Sequence, residues 1–349
     1  MHKRLIAGSL AAAAALVLTG CGQVTVEGAE QADTITVTDE QGREVEISGP
    51  VDRAVVLNSY TNEFVRAIGA GDAVVGIDRP SSQRLDYLEV GEDGIIAEAL
   101  DQINYEAVAD LDPDVVIMPR NAVWQEAVEQ LEGFGIPVVV ATAWDHLVFE
   151  DTVTLLGEVF DAEEGAQSVL DFHDEIAADL DERLEGVEPK TVYLETVDPY
   201  LTALPGSGFH AMIEQAGGEN VFADAAGGDA QEELTVDPAE VVLRDPDFIF
   251  HEFEPSSAPN DRFTAISDEL TARPGWSGLA AVQDGQIAVA NGWATSAAAK
   301  IIGAAYLATW LHPEATEGLD PDAYLERWVT EFQDTKFTSA EDYIRGPGA

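Results

Sequence analysis

From residue 54 onward, short apolar runs alternate with stretches in which apolar residues recur at helical spacing. Four of the runs are almost wholly apolar and rich in valine and isoleucine: residues 54–57, 74–77, 115–118 and 138–140. Such runs are typical of strands that are buried on both faces of a sheet. Helical stretches between them, such as residues 62–68 and 122–131, predict βαβ units and therefore a parallel sheet.

The same alternation resumes in the second half of the chain. Three further strands are predicted there, at residues 191–194, 248–250 and 286–289. Between the halves, apolar residues recur at helical spacing over residues 161–185, which predicts one helix of about 37 Å. The other predicted elements are an early hairpin and two late helices, at residues 34–38 with 45–47, 298–311 and 322–331.

The predicted fold class is therefore α/β, with two parallel-sheet lobes joined by one long α-helix and a ligand cleft between the lobes. The N-terminal lobe is predicted at residues 34–147, the connecting helix region at 148–187, and the C-terminal lobe with its terminal helices at 188–349. Open α/β sheets bind ligands at the carboxyl ends of their strands. We therefore expect the cleft at those ends.

The two halves also repeat a short motif. The segment NYEAV at residues 104–108 precedes DPD and a predicted strand, and the segment PAEVV at residues 238–242 precedes DPD and another predicted strand. Glu106 and Glu240 hold the same place in the two copies. This repetition indicates one supersecondary unit built twice.

The first residues have the layout of an exported lipoprotein. Residues 1–20 combine a cationic start with an apolar stretch that is too short to cross a bilayer comfortably, which predicts a signal peptide. The ending Leu18-Thr19-Gly20-Cys21 resembles the bacterial lipoprotein box, so Cys21 is expected to carry palmitate-type lipid, followed by a flexible tether at residues 21–33. The alternative is an ordinary secretory signal with an incidental cysteine. We expect an extracytoplasmic protein anchored to the cell membrane by its lipid.

The composition narrows the possible partners. Acidic residues outnumber basic ones by 66 to 17, the formal net charge is −49, and there is one cysteine. This charge argues against a nucleic-acid binder, which needs cations to replace phosphate counterions, and against direct docking on anionic lipid. A lone cysteine excludes an intrachain disulfide and a cysteine-ligated iron–sulfur cluster.

No catalytic motif stands out in the chain. It has no phosphate loop, no HExxH and no GxSxG elbow. The run GSGFHA at residues 206–211 superficially matches a dinucleotide fingerprint, but it lies too far beyond the preceding predicted strand for a tight strand-to-helix turn. The motifs therefore give no positive sign of an enzyme, and a Ser/His/Asp nucleophile system stays open at this point.

Several side chains near predicted strand ends suit a bulky, partly aromatic or anionic ligand. The predicted ligand-binding residues are Tyr60, Arg79, Arg120, Trp144, Tyr200, His251 and Trp293. Arg79 and Arg120 are scarce cations in an acidic chain, so they predict a positive site for a carboxylate or a chelate oxygen. The weaker candidates for metal ligands are His146, His210 and His251, and scattered surface histidines are the alternative.

Six stretches, together with the lipoprotein box and the long helix, resemble one known family. They are RAVVL at 53–57, VVGID at 74–78, LDPDVVI at 111–117, GFGIPV at 133–138, GGENVF at 217–222 and RPGW at 273–276. Over about residues 34–331 the chain resembles the substrate-binding lipoproteins of bacterial ABC importers for iron–siderophore complexes, haem or vitamin B12.

This resemblance implies a monomeric binding protein, not an enzyme, that has no intrinsic cofactor and captures a metal chelate. The first candidate for that chelate is a ferric siderophore. It implies delivery to a permease dimer driven by a cytoplasmic ATPase. It also implies that Glu106 and Glu240 dock on permease arginines, because family members carry a glutamate at the matching position of each lobe. Two alternatives stay open: a bare divalent-metal carrier from a neighbouring group, and a secreted hydrolase with two facing carboxylates.

Overall fold

Two open β-sheets carry the buried apolar runs of the chain. The computed structural model describes residues 34–227, 231–257, 262–295 and 297–348, so the predicted signal peptide, tether and Cys21 lie outside the described residues. The strands are β1 (Thr34–Thr38), β2 (Glu44–Ser48), β3 (Ala54–Val56), β4 (Val74–Asp78), β5 (Ile95–Ala99), β6 (Gln102–Ile103), β7 (Val115–Met118), β8 (Val138–Val140), β9 (Lys190–Glu195), β10 (Leu201–Ala203), β11 (Gly218–Asn220), β12 (Glu233–Thr235), β13 (Phe248–Phe253), β14 (Ile287–Asn291) and β15 (Ile344–Arg345). The α-helices are α1 (Ser59–Ala67), α2 (Arg79–Arg84), α3 (Tyr105–Asp110), α4 (Trp124–Glu132), α5 (Phe149–Phe160), α6 (Glu163–Leu184), α7 (Gly208–Gln215), α8 (Pro238–Arg244), α9 (Phe263–Thr271), α10 (Ala280–Gln283), α11 (Lys300–Leu311) and α12 (Pro321–Arg327).

The first sheet has the strand order β6-β5-β4-β3-β7-β8. Its strands are parallel except for the antiparallel pair β5 and β6. Every residue of β3, β7 and β8 is buried, which explains their continuous apolar sequences. All four strands predicted in this half are confirmed, and β1 and β2 form the predicted antiparallel hairpin. Strand β5 had not been predicted, because its apolar run is interrupted by Glu98.

The second sheet has the order β12-β10-β9-β13-β14-β15, with β11 paired to β9. Its centre is parallel, as predicted, because β9 and β14 both run parallel to β13. The edges differ from a purely parallel lobe, since β10, β12 and β15 pair antiparallel with their neighbours. For β10 the reason is a tight return, because Tyr200, at a φ of 63°, lies where the chain reverses between β9 and β10.

The long helix α6 lies between β8 and β9 in the chain, as the spacing predicted. It has 22 residues and is therefore about 33 Å long. It begins two residues later than predicted, because Asp161 takes a left-handed conformation and ends α5. The buried stripe of α6 comprises Ala166, Val169, Phe172, Ile176 and Leu180.

One apolar cluster joins the two sheets. It includes Val56 of the first sheet, Ile176 of α6 and Leu194 of the second sheet. Helix α11 belongs to the same cluster, and ten of its twelve residues are buried. The described residues form one compact unit, so the boundaries of the three predicted segments stay a prediction. No described helix has the length and apolar character that crossing a membrane requires.

Candidate functional site

A cavity of about 680 Å³ lies between the carboxyl ends of the two sheets. Asn58 and Arg120, which line it, each lie two residues beyond the ends of β3 and β7 in the first sheet, whereas Thr196 and Glu254 directly follow β9 and β13 in the second. Loops at these ends are the usual ligand sites of open parallel sheets. The volume lies within the range of pockets that hold drug-sized molecules.

Aromatic side chains give the cavity an apolar wall on each side. Tyr60 and Trp144 come from the first half of the chain, and their rings meet edge to face with centroids 6.5 Å apart. Phe209, in the first turn of α7, faces them from the second half together with Leu201. Such walls suit a flat or rigid ligand, because aromatic surfaces supply large contact area with little loss of side-chain freedom.

The Arg120 guanidinium is already bound by carboxylates. Its Nη1 lies 2.9 Å from Glu40 Oε1 and 2.6 Å from Asp145 Oδ2, and its Nη2 lies 3.8 Å from Glu232 Oε1 across the cavity. Burial acts to lower the pKa of Arg120, but the hydrogen bonds to Glu40 and Asp145 outweigh it and raise that pKa. Arg120 lines the cavity as predicted, but a ligand anion would have to compete with these carboxylates.

A second arginine, Arg84 of α2, ties the two sides of the cavity together. Its Nη2 lies 2.9 Å from Glu254 Oε2, and its carbonyl oxygen accepts a 2.8 Å hydrogen bond from the backbone N–H of Ser257. Ser257 also exchanges hydrogen bonds with Asp86. These contacts join the two sheets beside the cavity mouth, so this flank opens only if they break.

Four predicted ligand-binding residues do not line the cavity, namely Arg79, Tyr200, His251 and Trp293. Arg79 lies on the outer side of α2, where its guanidinium is 3.1 Å from both Glu92 and Glu98. Trp293 is fully buried, with its ring 5.4 Å from that of Tyr343. A position near the end of a strand places a residue at the edge of the sheet that the cavity occupies. It does not determine the direction in which the side chain points.

Tyr200 and His251 belong instead to a buried network around Glu195. Arg273 binds both oxygens of Glu195, at 2.6 and 2.8 Å, and His251 Nδ1 lies 3.1 Å from Oε1. The Tyr193 hydroxyl and the Tyr200 backbone N–H donate to Oε2 at 2.9 and 2.8 Å. Burial acts to raise the pKa of Glu195, but the nearby His251 ring and the hydrogen bonds from Arg273 lower it to about 2.

This network predicts a pH-dependent contribution to stability. Because the pKa of Glu195 falls from an ordinary 4.5 to about 2 on folding, its carboxylate stabilises the protein above about pH 4.5, and this contribution is lost as the pH falls towards 2. In denaturant titrations, we expect the stability difference between wild type and Glu195→Gln to shrink by about 2 kcal/mol from pH 7 to pH 3. A difference that does not change with pH would contradict this assignment.

The three candidate metal-ligating histidines have separate surroundings. His210 lies 3.4 Å from Glu214 and 3.2 Å from the Asn220 amide, and His251 faces Glu195. His146 lies in an outer groove with His173. Within residues 34–227, 231–257, 262–295 and 297–348, no group of three or more His, Cys, Asp or Glu side chains is placed to hold a metal ion.

Glu106 and Glu240 occupy matching places in the two halves. Each is exposed and lies in the first turn of a short helix that precedes a strand, α3 before β7 and α8 before β13. Asn104 caps the first helix and Asp237 caps the second. Neither glutamate lines the cavity.

Several cavity residues were not predicted from the sequence. Arg84 is the last residue of the short helix α2, six residues beyond the end of β4, whereas Glu232 precedes the edge strand β12 and Glu233 begins it. Lys300 had a visible signal: it is one of few lysines and follows three alanines in an apolar stretch. A lysine at the start of an otherwise apolar helix is unusual enough to indicate a candidate binding residue.

Known solute-binding proteins are similar to this chain in sequence. It is 30% identical over 245 residues to the cobalamin-binding protein of Halobacterium salinarum, which covers 68% of this chain and 62% of that protein's length. It is 26% identical over 204 residues to the vitamin B12-binding protein of Vibrio parahaemolyticus, covering 58% of this chain and 70% of that protein.

Solved structures have the same fold. The molybdate-bound periplasmic binding protein MolA of Haemophilus influenzae superposes with a TM-score of 0.72 at 21% identity, covering 87% of this chain and 99% of that chain. This likeness confirms the predicted α/β fold class. The model for the family described as periplasmic binding protein matches residues 55–292, which confirms the resemblance seen in the sequence. The chain belongs to the periplasmic binding protein family.

Proposed function

We propose that this chain is the extracytoplasmic solute-binding component of an ABC importer and that its cargo is a metal chelate. The observation that carries the proposal is the cavity between the two sheets, which has aromatic walls and whose two sides are joined by the ion pair of Arg84 and Glu254. A cavity whose two sides are joined by side-chain contacts suits a large, rigid cargo better than a small ion around which the protein must close.

The charges in the cavity favour a chelate without a large negative charge. Among its described residues, the lining has three cations and four carboxylates: Arg84, Arg120, Lys300, Glu232, Glu233, Glu252 and Glu254. Both arginines are engaged by carboxylates. The resemblance in the sequence implied a ferric siderophore, and Arg79 and Arg120 supported an anionic one; Arg79 lies outside the cavity and Arg120 is bound by carboxylates, so the arginines no longer support an anionic chelate. We therefore propose a cobalt corrinoid, in line with the names of the two relatives described above.

Delivery would use the outer surface of the protein. We propose that Glu106 and Glu240 contact arginines on a permease dimer, which a cytoplasmic ATPase drives. Two like-placed anions suit a partner built from two matching subunits. We also propose that lipid on Cys21, outside the described residues, keeps the protein at the cell membrane near that permease. Catalysis is no part of this proposal.

Binding to a panel of chelates tests the proposal. Protein purified from membranes in detergent is titrated with cobalamin, haem, ferric siderophores and divalent metal salts in a calorimeter. We expect saturable one-to-one binding of cobalamin and no comparable heat from free metal ions. Tight binding of a bare metal would support the divalent-metal alternative, and turnover of a saccharide panel would support the hydrolase. Either result without chelate binding would overturn the proposal.

A further inference from the structure

Lys300 differs from the other cations of the cavity. It begins α11, only 9% of its surface is exposed, and it lines the cavity. Arg84 and Arg120 are held by carboxylates, whereas no carboxylate among the described residues lies within ion-pair distance of the Lys300 amine. A buried ammonium group is costly unless a partner satisfies it.

The amine uses only part of its hydrogen-bonding capacity. Its Nζ donates to the Trp144 carbonyl oxygen at 3.1 Å and lies 4.9 Å from the centre of the Phe209 ring. An ammonium group has three donors, so two remain for a molecule in the cavity. The contacts with Trp144 and Phe209 hold the amine beside the aromatic walls.

The neighbouring backbone leaves room for the amine. A Cβ atom on Gly208 would lie 2.8 Å from Lys300 Cε and 2.9 Å from Nζ, closer than such atoms can approach. Gly208 therefore permits the observed position of the Lys300 side chain. Any side chain at position 208 would displace the amine.

The carboxylates around Lys300 limit the negative charge of a ligand group that can bind beside the amine. Burial lowers the pKa of Lys300, and the charges of Glu252, Glu232, Glu233 and Asp145 act in the opposite direction, which favours the protonated form. These carboxylates stand beyond ion-pair distance of the amine. They would repel a polyanion such as a ferric tris-catecholate, whereas a singly charged group needs only one cation.

We propose that Lys300 is the specificity-determining residue of the cavity and binds a singly charged phosphodiester of the cargo. This inference rests on the proposed function and names the part of the chelate that the site would select. Cobalamin carries one phosphodiester in its nucleotide loop, and cobinamide, which has the same corrin ring, lacks it. The two corrinoids therefore separate recognition of the ring from recognition of the phosphodiester.

Calorimetric titration of both corrinoids into wild type and Lys300→Met tests the proposal. We expect Lys300→Met to weaken cobalamin binding about 10- to 100-fold, the usual effect of losing a charge-assisted hydrogen bond, and to change cobinamide binding less than about twofold. Lys336→Met, at an exposed lysine outside the cavity, is the matched control and should leave both affinities unchanged. Equal losses for both corrinoids, or no loss for cobalamin, would overturn the proposal.

Two further measurements test the role of Lys300 independently of the Lys300→Met variant's affinity for the two corrinoids. Gly208→Ala keeps the charge but displaces the amine, so it should also weaken cobalamin binding selectively; unchanged cobalamin affinity would count against the proposed geometry. If wild type binds neither corrinoid, the proposed cargo fails, and dimethyl phosphate then decides the role of Lys300. This monoanionic phosphodiester should raise the melting temperature of wild type but not of Lys300→Met, and an equal response in both proteins would overturn the inference.

Discussion

Reversing both charges in the double variant Glu106→Arg/Glu240→Arg is expected to abolish uptake of the cargo while its affinity for the purified protein stays unchanged. Both glutamates are exposed in the first turns of matching helices, and neither lines the cavity. If they face permease arginines, the variant places like charges across the interface, which costs several kcal/mol. Uptake of radiolabelled cobalamin by cells that depend on this protein, measured beside calorimetric affinity, gives the two readouts.

The matched control is a second double reversal on another surface. Glu164→Arg/Glu182→Arg changes the net charge by the same amount on exposed positions of α6, away from the cavity. This control should transport normally, which separates a local contact from a general effect of charge in an acidic protein. Normal uptake by the Glu106/Glu240 variant, or loss of its ligand binding, would show that the docking role is wrong.

Replacing Arg273 with Met is expected to lower the free energy of unfolding by about 3–5 kcal/mol, because it leaves a buried carboxylate without its bidentate partner. Glu195 is fully buried, and Arg273 is 2.6 Å from one of its oxygens and 2.8 Å from the other. Arg273 also lies 4.8 Å from the centre of the Trp276 ring, so the variant loses packing as well. Equilibrium denaturation in urea measures the loss.

Arg79→Met provides the comparison for this effect. Its partners Glu92 and Glu98 are 80% and 64% exposed, so solvent screens these pairs and their loss should leave the free energy of unfolding almost unchanged. Adding Glu195→Gln to Arg273→Met should recover part of the stability, since the unpaired charge is then gone. A single Arg273 variant as stable as Arg79→Met would contradict the role given to the buried network.

The fold was predictable where one physical constraint dominates the sequence. Strands such as β7 and β8 are buried on both faces, and that burial requires unbroken apolar runs. The buried residues of α6 likewise recur at helical spacing, so this helix could be predicted from the sequence. The antiparallel edge strands β10, β12 and β15 were missed because they are only two or three residues long, too short for any periodicity to be visible.

The position of the candidate site could be predicted from the sequence, but only some of the residues that line it could. Tyr60, Arg120 and Trp144 line the cavity, as the positions of strand ends suggested. Trp293 follows β14 but turns into the core, because a large aromatic ring gains more from burial there than from a cavity wall. Lys300 comes from a helix far along the chain, and only the packing of α11 against α7 brings it to the cavity.

We propose above all that the cargo binds in the cavity between the two sheets. A titration of one cavity variant is the direct test of this location. Cobalamin is titrated into wild type, Trp144→Ala and Phe134→Ala; the last of these removes a ring that is 58% exposed and lies outside the cavity. We expect one-to-one binding that Trp144→Ala weakens by about tenfold or more and Phe134→Ala leaves unchanged. Saturable cobalamin binding that is indifferent to Trp144→Ala, or no binding by wild type, would contradict it.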